Sequence, residues 1–294
     1  MASEPILTRF APSPTGPLHL GHAYAAWVAH DLAQVARGRF LLRIEDIDRG
    51  RSRVEWELAL LSELRWLGIA WVEPVWRQSE RLAAYDQALD TLWKMGLLYP
   101  CSCNRRDILA ALDAPQEGVS MGPDGPVYPG TCRHKPKPKT RPSDAVLRLD
   151  MAQAMKGLGP LEFVEDALAE ALGENRLEVD QLIEKTGDIV LSRRDMGTSY
   201  HLSVVVDDAA QGITLVTRGA DLFDATHSHV VLQALLGLPT PRYHHHRLIR
   251  DAAGKRLAKR DDARAIATYR AAGQTPDNLR VLVGLPICPA WPPR

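Results

Sequence analysis

A chain of 294 residues, 45% of them hydrophobic, can bury a sizeable core, and its length suggests about two domains. Lysine plus arginine and aspartate plus glutamate number 36 each, so no global field attracts a polyanion and any nucleic-acid surface must be local. There is no charged start followed by an apolar run, no window near the about 18 apolar residues of a membrane span, and too few cysteines for a disulfide framework, so a cytoplasmic globular protein without a membrane partner is expected.

The first element is a strand in "ILTRFA". The turn "PSPTGPLHLGH" follows from Pro12 to His22, then a helix through "AYAAWVAHDLAQVARG" with Leu20, Tyr24, Trp27, Val28, Leu32 and Val35 at helical spacing before Gly38. "FLLRIED" reads as a buried strand ending in acids, which completes a βαβ unit. Ser52 and Glu55 are spaced as a capping box ahead of "VEWELALLSELRWLG", whose Trp56, Leu60 and Trp66 are assigned to core, and Ser79 opens a further helix ending near Gly96.

The pattern breaks between about Pro100 and Gly187. This stretch holds "CSC", the Gly/Pro-rich "MGPDGPVYPGT" and the basic run "RHKPKPKTRP", and reads as an inserted domain. From Asp188 strands return in "DIVLSRRDMGTSYHLSVVVDDAAQGITLVTRG", followed by a helix through "HVVLQALLG". The expected fold class is α/β with a parallel sheet, divided into 1–99, 100–187, 188–240 and 241–294.

The opening turn carries the first chemistry. A helix N-terminus at the carboxyl edge of a parallel sheet presents unpaired N–H groups, where phosphates settle. Gly21 lets a flat ring approach the backbone, and His19 and His22, three apart, can donate to phosphate oxygens that gain charge during displacement. A surface turn with two solvated histidines weighs equally on spacing alone. Near the other end, "DAAGKRLAKRDDA" carries Lys255, Arg256, Lys259 and Arg260, and Lys259 can reach a triphosphate as a mobile point charge. Taken alone, that run reads better as a solvated surface.

Together, "RFAPSPTGPLHLGH" and "RLAKR" resemble the paired HIGH and KMSKS signatures of class I aminoacyl-tRNA synthetases. "LLRIEDID", the "QSER" at Gln78 to Arg81, "VVVDDAAQGITLVTRGADL" and "GKRLAKR" sharpen the resemblance to the glutamyl-tRNA synthetases, over most of residues 5–262. The resemblance implies a Rossmann-type parallel sheet with an inserted acceptor-like α/β domain and a small zinc-binding subdomain. It implies that His19, Gly21, His22 and Lys259 bind ATP with Mg²⁺, that His19, His22 and Lys259 are catalytic, and that Arg9, Ala11, Ser13, Glu45, Tyr200 and Arg218 form the glutamate pocket. Glu45 would hold the substrate ammonium. Ser13 stands where the glutamine enzymes have a glutamate, and the Arg218 fork matches a carboxylate while leaving glutamine poorly satisfied. Without the family, Glu45 reads as a strand-end carboxylate and Arg218 as a surface ion pair.

Some positions depart from the family pattern. Arg256 and Ala258 replace the first lysine and the serine of the usual loop, and His227 and His229 stand where relatives carry Pro and Gln. The chain ends soon after Asp262, so a helical anticodon-reading region is not expected. In this it resembles the short paralogues of the family that attach glutamate to the queuosine wobble base of tRNA(Asp). The alternatives are a truncated conventional ligase charging a tRNA 3′ end and a non-catalytic RNA-binding paralogue; for the main reading a monomer is expected.

The zinc pattern of those paralogues falls on Cys101, Cys103, Tyr128 and Cys132. Three thiolates plus one donor suit a tetrahedral structural zinc. On chemistry alone His134 is a more ordinary fourth ligand than a phenol, and Cys288 reads as a packed thiol. "RHKPKPKTRP" and "YHHHRLIR" could neutralise RNA phosphates, although the first reads better as a solvated linker.

Overall fold

The computed structural model describes residues 5–104, 106–108, 121–123, 125–249 and 264–287. The chain forms two compact units, one of Met1–Gln78, Thr214–Ala220 and His244–Arg294, the other of Ser79–Ile213 and Asp221–Tyr243. The loop with Lys255, Arg256, Lys259 and Arg260, and Cys288, lie outside the described residues.

In the first unit, β1 (Leu7–Phe10), α1 (Leu20–Val35), β2 (Arg39–Ile44), α2 (Val54–Trp66) and β3 (Val72–Arg77) follow one another, and the strands form a parallel sheet in the order β1-β2-β3. The return from α1 into β2 needs Gly38, because a Cβ there would lie 2.0 Å from the Ile6 carbonyl oxygen. The strand Leu215–Gly219 runs alongside β1, where Leu7 donates to the Thr214 hydroxyl and Thr214 donates to the Leu7 carbonyl. Helices Ile266–Ala271 and Pro276–Leu282 complete the unit. Ile266, Leu279 and Val283 share a core with Trp27, Leu42 and Leu64, and Arg280 pairs with Asp31 of α1 while lying over the Trp27 ring. The C-terminal segment therefore braces the helix that carries the histidine turn.

The Ser52–Glu55 capping box does not form. The helix α2 begins one residue later than that motif requires, with Arg53 as its uncapped N-cap, and the Ser52 N–H that Glu55 would have to accept is taken by the Asp48 carbonyl at 2.9 Å. Nor does Ser79 open a helix directly: Gln78–Glu80 is a 3₁₀ turn, and the helix α3 runs over Leu82–Lys94.

In the second unit, β4 (Leu98–Cys101) and the strand Val190–Ser192 flank Val146–Leu149 in an antiparallel sheet, and Glu162–Glu165 pairs with Gly173–Arg176. The valine-rich run after Asp188 is only partly strand. Tyr200–Gln211 is a helix, capped by the Ser199 hydroxyl and stopped by Gly212 at φ 68°. Tertiary pairing overrides the β propensity of its valines: the fully buried Asp207 accepts from Arg81 at 2.6 Å and from the Tyr85 hydroxyl at 2.7 Å, which joins the "QSER" and "VVVDD" motifs. Phe223–Leu236 is a helix as expected.

The basic run is a strap, not a free linker. Arg133 donates to Asp188, Lys137 to the Gly96 carbonyl, and Arg141 pairs with both Asp86 and Asp90. "YHHHRLIR" likewise departs from a phosphate-facing surface, since Tyr243, His245 and His246 are buried in the strand Arg242–His246. No helix among the described residues is long and apolar enough to cross a membrane.

Candidate active site

The turn from Pro12 to His22 leaves β1 at the carboxyl edge of the parallel sheet and enters α1 with His19 as N-cap, at φ −126° and ψ 175°. The His19 Nδ1 accepts the Gly21 N–H at 3.1 Å, and the His22 Nδ1 accepts the His19 N–H at 3.2 Å. This is a capping box built from two imidazoles, stacked with centroids 3.8 Å apart. Because both Nδ1 atoms accept, the proton of each neutral ring sits on Nε2. The pair is thus set as two donors of defined tautomer at a helix N-terminus, the arrangement that stabilises developing charge on phosphate.

The neighbouring loops are tied to the same edge. The Glu45 N–H at the end of β2 donates to the Pro12 carbonyl at 3.0 Å, and the buried Arg43 guanidinium lies 3.8 Å from the Glu45 carboxylate. Arg9 is buried and donates to the Thr217 carbonyl at 3.0 Å, which places β1 against the strand bearing Arg218. Arg218, also buried, donates through Nε to the His245 Nε2 at 3.1 Å. The structure therefore brings Arg9, Ala11, Ser13, Glu45, His19, Gly21, His22 and Arg218 into one unit. Tyr200 belongs to the other, opening its helix with its ring against His201 and His229. His229 hydrogen-bonds His201 at 3.0 Å, and His227 packs on Phe163 and Phe223. Lys259 lies outside the described residues.

The cysteine cluster belongs to the second unit. Cys101 ends β4, paired to Val146, while Tyr128 and Cys132 come from the loop after the short paired strands Met121–Gly122 and Gly125–Pro126. The three sulfurs lie within 4.8 Å of one another, with Cys103 and Cys132 3.6 Å apart. Two sulfurs on one tetrahedral zinc are roughly 3.8 Å apart, and an oxygen and a sulfur about 3.5 Å. The Tyr128 hydroxyl lies 3.4 Å from both Cys101 and Cys103, whereas His134 is exposed. Three thiols and the phenol thus fit the spacing of a tetrahedral ion.

The cluster is electrostatically mixed: Cys132 is shifted towards its thiolate, while burial raises the Cys103 thiol. Burial works against a Cys132 thiolate, but hydrogen bonds from Tyr128, Ser102 and Lys135 outweigh it and lower its pKa to about 5. Burial, reinforced by the neighbouring thiols, pushes the Tyr128 hydroxyl well above the usual phenol range. The Arg148 guanidinium lies over the Tyr128 ring, 3.9 Å from its centroid, and donates to the Asp188 carbonyl. Asp188 itself is buried and accepts from Tyr99, Arg133 and the Met151 N–H, so one carboxylate holds the cluster loop to the sheet. Neither Asp188 nor Arg148 has a local sequence signal: their partners are far apart along the chain. The same is true of His245, whose pairing with Arg218 no motif announced.

Residues 5–286 match the family model "tRNA synthetases class I (E and Q), catalytic domain". A Glutamyl-Q tRNA(Asp) synthetase from Rhodobacter capsulatus is 59% identical over 286 residues, covering 95% of this chain and 100% of that protein. The protein of that name from Albidiferax ferrireducens is 41% identical, covering 95% and 92%. Among solved structures, a glutamate-tRNA synthetase from Elizabethkingia anophelis is similar with a TM-score of 0.72 and 25% identity, covering 93% of this chain and 60% of its own. A glutamate tRNA ligase from Elizabethkingia meningosepticum, in complex with its amino acid, matches with a TM-score of 0.71, 26% identity and coverage of 93% and 59%. This chain therefore spans less than two thirds of those two structures but nearly the full length of these two glutamyl-Q relatives. The double-histidine cap, the parallel sheet beneath it and these matches converge: the chain belongs to the class I tRNA synthetases (E and Q), in the glutamyl-Q tRNA(Asp) synthetase branch.

Proposed function

We propose that this protein activates glutamate with ATP and transfers it to the queuosine wobble base of tRNA(Asp). The observation that carries the reading is the His19–His22 cap, two Nε2 donors of set tautomer at the carboxyl edge of the sheet. It is supported by the near full-length match to relatives named for the glutamyl-Q reaction.

Glutamate is held with its side-chain carboxylate on Arg218, its ammonium on Glu45, and Arg9, Ala11 and Ser13 around it. For Tyr200 the assignment stays with the family resemblance. The α-carboxylate attacks the α-phosphorus of ATP, and the bond to the leaving oxygen breaks with its electron pair going to pyrophosphate. The His19 and His22 Nε2–H groups and Lys259 stabilise the charge that develops, so no enzyme nucleophile is needed. Mg²⁺ bound with ATP would add further charge compensation. A hydroxyl of the queuosine cyclopentenediol then attacks the mixed anhydride, AMP leaves, and positioning supplies much of this step.

Incubating the protein with ATP, Mg²⁺ and labelled glutamate, with tRNA from cells with and without queuosine, tests this directly. Label confined to the anticodon fragment of queuosine-containing tRNA is the expected result. Label at the 3′ end regardless of queuosine would make the protein a short conventional ligase, and no label would point to a non-catalytic RNA-binding protein.

Cys101, Cys103, Cys132 and Tyr128 are assigned to one structural zinc, which would cross-link a loop to the end of β4. Metal analysis should find about one zinc per chain, and chelation should lower the melting temperature by about 5–15 °C. Metal-free protein whose melting ignores the chelator would reject the assignment.

A further inference from the structure

We infer that Glu63 is a positioning residue for adenylate formation, its buried carboxylate fastening the backbone of the histidine turn to the chain that resumes at residue 264, after the stretch bearing Lys259. The inference rests on the function proposed above and adds to it a residue that touches no substrate.

Glu63 sits on the inward face of α2 between Leu60 and Leu64, and is 7% exposed. Leucine is what that stripe calls for, and an acid there carries a desolvation cost. Burial accordingly raises the Glu63 pKa from its usual range, opposed by backbone N–H bonds from Leu18 and Ala267 and by the Arg270 charge. Those two donors define the role. Leu18 immediately precedes the N-cap His19, and Ala267 lies in the first turn of Ile266–Ala271, the first helix described after residues 250–263.

The same two segments also meet directly. The Ile266 N–H donates to the Leu18 carbonyl at 2.9 Å, and His19 and Ala265 form an isolated antiparallel bridge. Leu18 is thus held on both sides, its N–H by Glu63 and its carbonyl by Ile266. The histidine turn and the chain from residue 264 onward are joined through two backbone contacts and one carboxylate. Arg270 stacks over Trp66, three residues beyond Glu63, which fixes the helix on the same face. Glu63 Oε2 has no hydrogen-bond partner among the described residues, so what the site uses is an acceptor, which a carboxylate in either protonation state or an amide can supply.

A displaced histidine turn would misplace both Nε2 donors, and misplacements on the order of 1 Å cost up to about 10²-fold in rate. The test is glutamate-dependent ATP–pyrophosphate exchange by the full chain carrying Glu63→Gln or Glu63→Leu, with melting curves for each. Glu63→Gln keeps an acceptor and should stay within about 3-fold of the unaltered protein. Glu63→Leu should lose at least about 10-fold in kcat and raise the KM for ATP while leaving the KM for glutamate in place. Should Glu63→Leu not fold, Glu63→Met, unbranched and adaptable, takes its place. Exchange by the leucine or methionine variant at the unaltered rate would overturn the inference, as would equal losses in the glutamine and leucine variants or a matching rise in the glutamate KM. No exchange by the unaltered protein would instead overturn the proposed function, and the inference with it.

Discussion

Replacing His22 by asparagine is expected to lower the rate of glutamyl-adenylate formation about 10²–10³-fold while leaving the melting temperature within about 2 °C. The two effects separate because each histidine does two things. Its Nδ1 satisfies a backbone N–H at the start of α1, and its Nε2–H faces away from that cap. Asparagine is a good N-terminal acceptor and can take over the first task, but its side chain is too short for the second. His19→Asn should behave alike, and more clearly, since asparagine is among the favoured N-cap residues and His19 is the N-cap. Alanine at either position removes the cap as well and costs about 1 kcal/mol in addition. ATP–pyrophosphate exchange together with thermal melting resolves these cases. A fully active His22→Asn variant would show that the pair is a structural cap alone.

Replacing Arg218 by alanine should reduce kcat/KM for glutamate about 10²–10³-fold and shrink the preference for glutamate over glutamine towards equality. The guanidinium is buried, and its Nε donates to the His245 Nε2, which fixes the orientation of the fork that the proposed reading sets against the glutamate carboxylate. A carboxylate satisfies that fork with two acceptor oxygens, whereas glutamine presents one acceptor and sets donors against donors. Lysine at the same position keeps the charge but not the fork, so Arg218→Lys should recover little of the loss. The comparison needs exchange rates with both amino acids at several concentrations. An unchanged glutamate-to-glutamine ratio in Arg218→Ala would place the discrimination elsewhere.

Burial of the second group of histidines changes how their string is read. In the string "YHHH" they look like a basic patch, yet His245 orients Arg218 and His246 packs edge-on against Tyr24 of α1. Their chemistry is turned inward. The basic strap makes the same point with opposite charges, as Arg133 and Arg141 spend their guanidinium groups on Asp188, Asp86 and Asp90 of their own unit. Charge counted along a chain says little about which surface it reaches.

What was legible from the residues alone was whatever is encoded over a few consecutive positions. The first βαβ unit, the strand-to-helix turn and the placing of His19 and His22 on one side of the first turn follow from periodicity and from a spacing of three, and the structure forms them as read, whereas the mutual cap of the two rings is seen only in the fold. The spacing of Cys101 and Cys103 and the later Cys132 also announced a cluster, though local chemistry preferred His134 to the Tyr128 that stands at the sulfurs. The valine run before Gly212 misled, because β propensity is weaker than a Ser199 cap and a buried Asp207 joined to Arg81 and Tyr85. Glu63, Asp188 and His245 could not be found at all without tertiary structure. Each acts on a partner remote in sequence, and the free energy of a buried acceptor depends on which donors the folded chain brings to it, a quantity that no short window of residues contains.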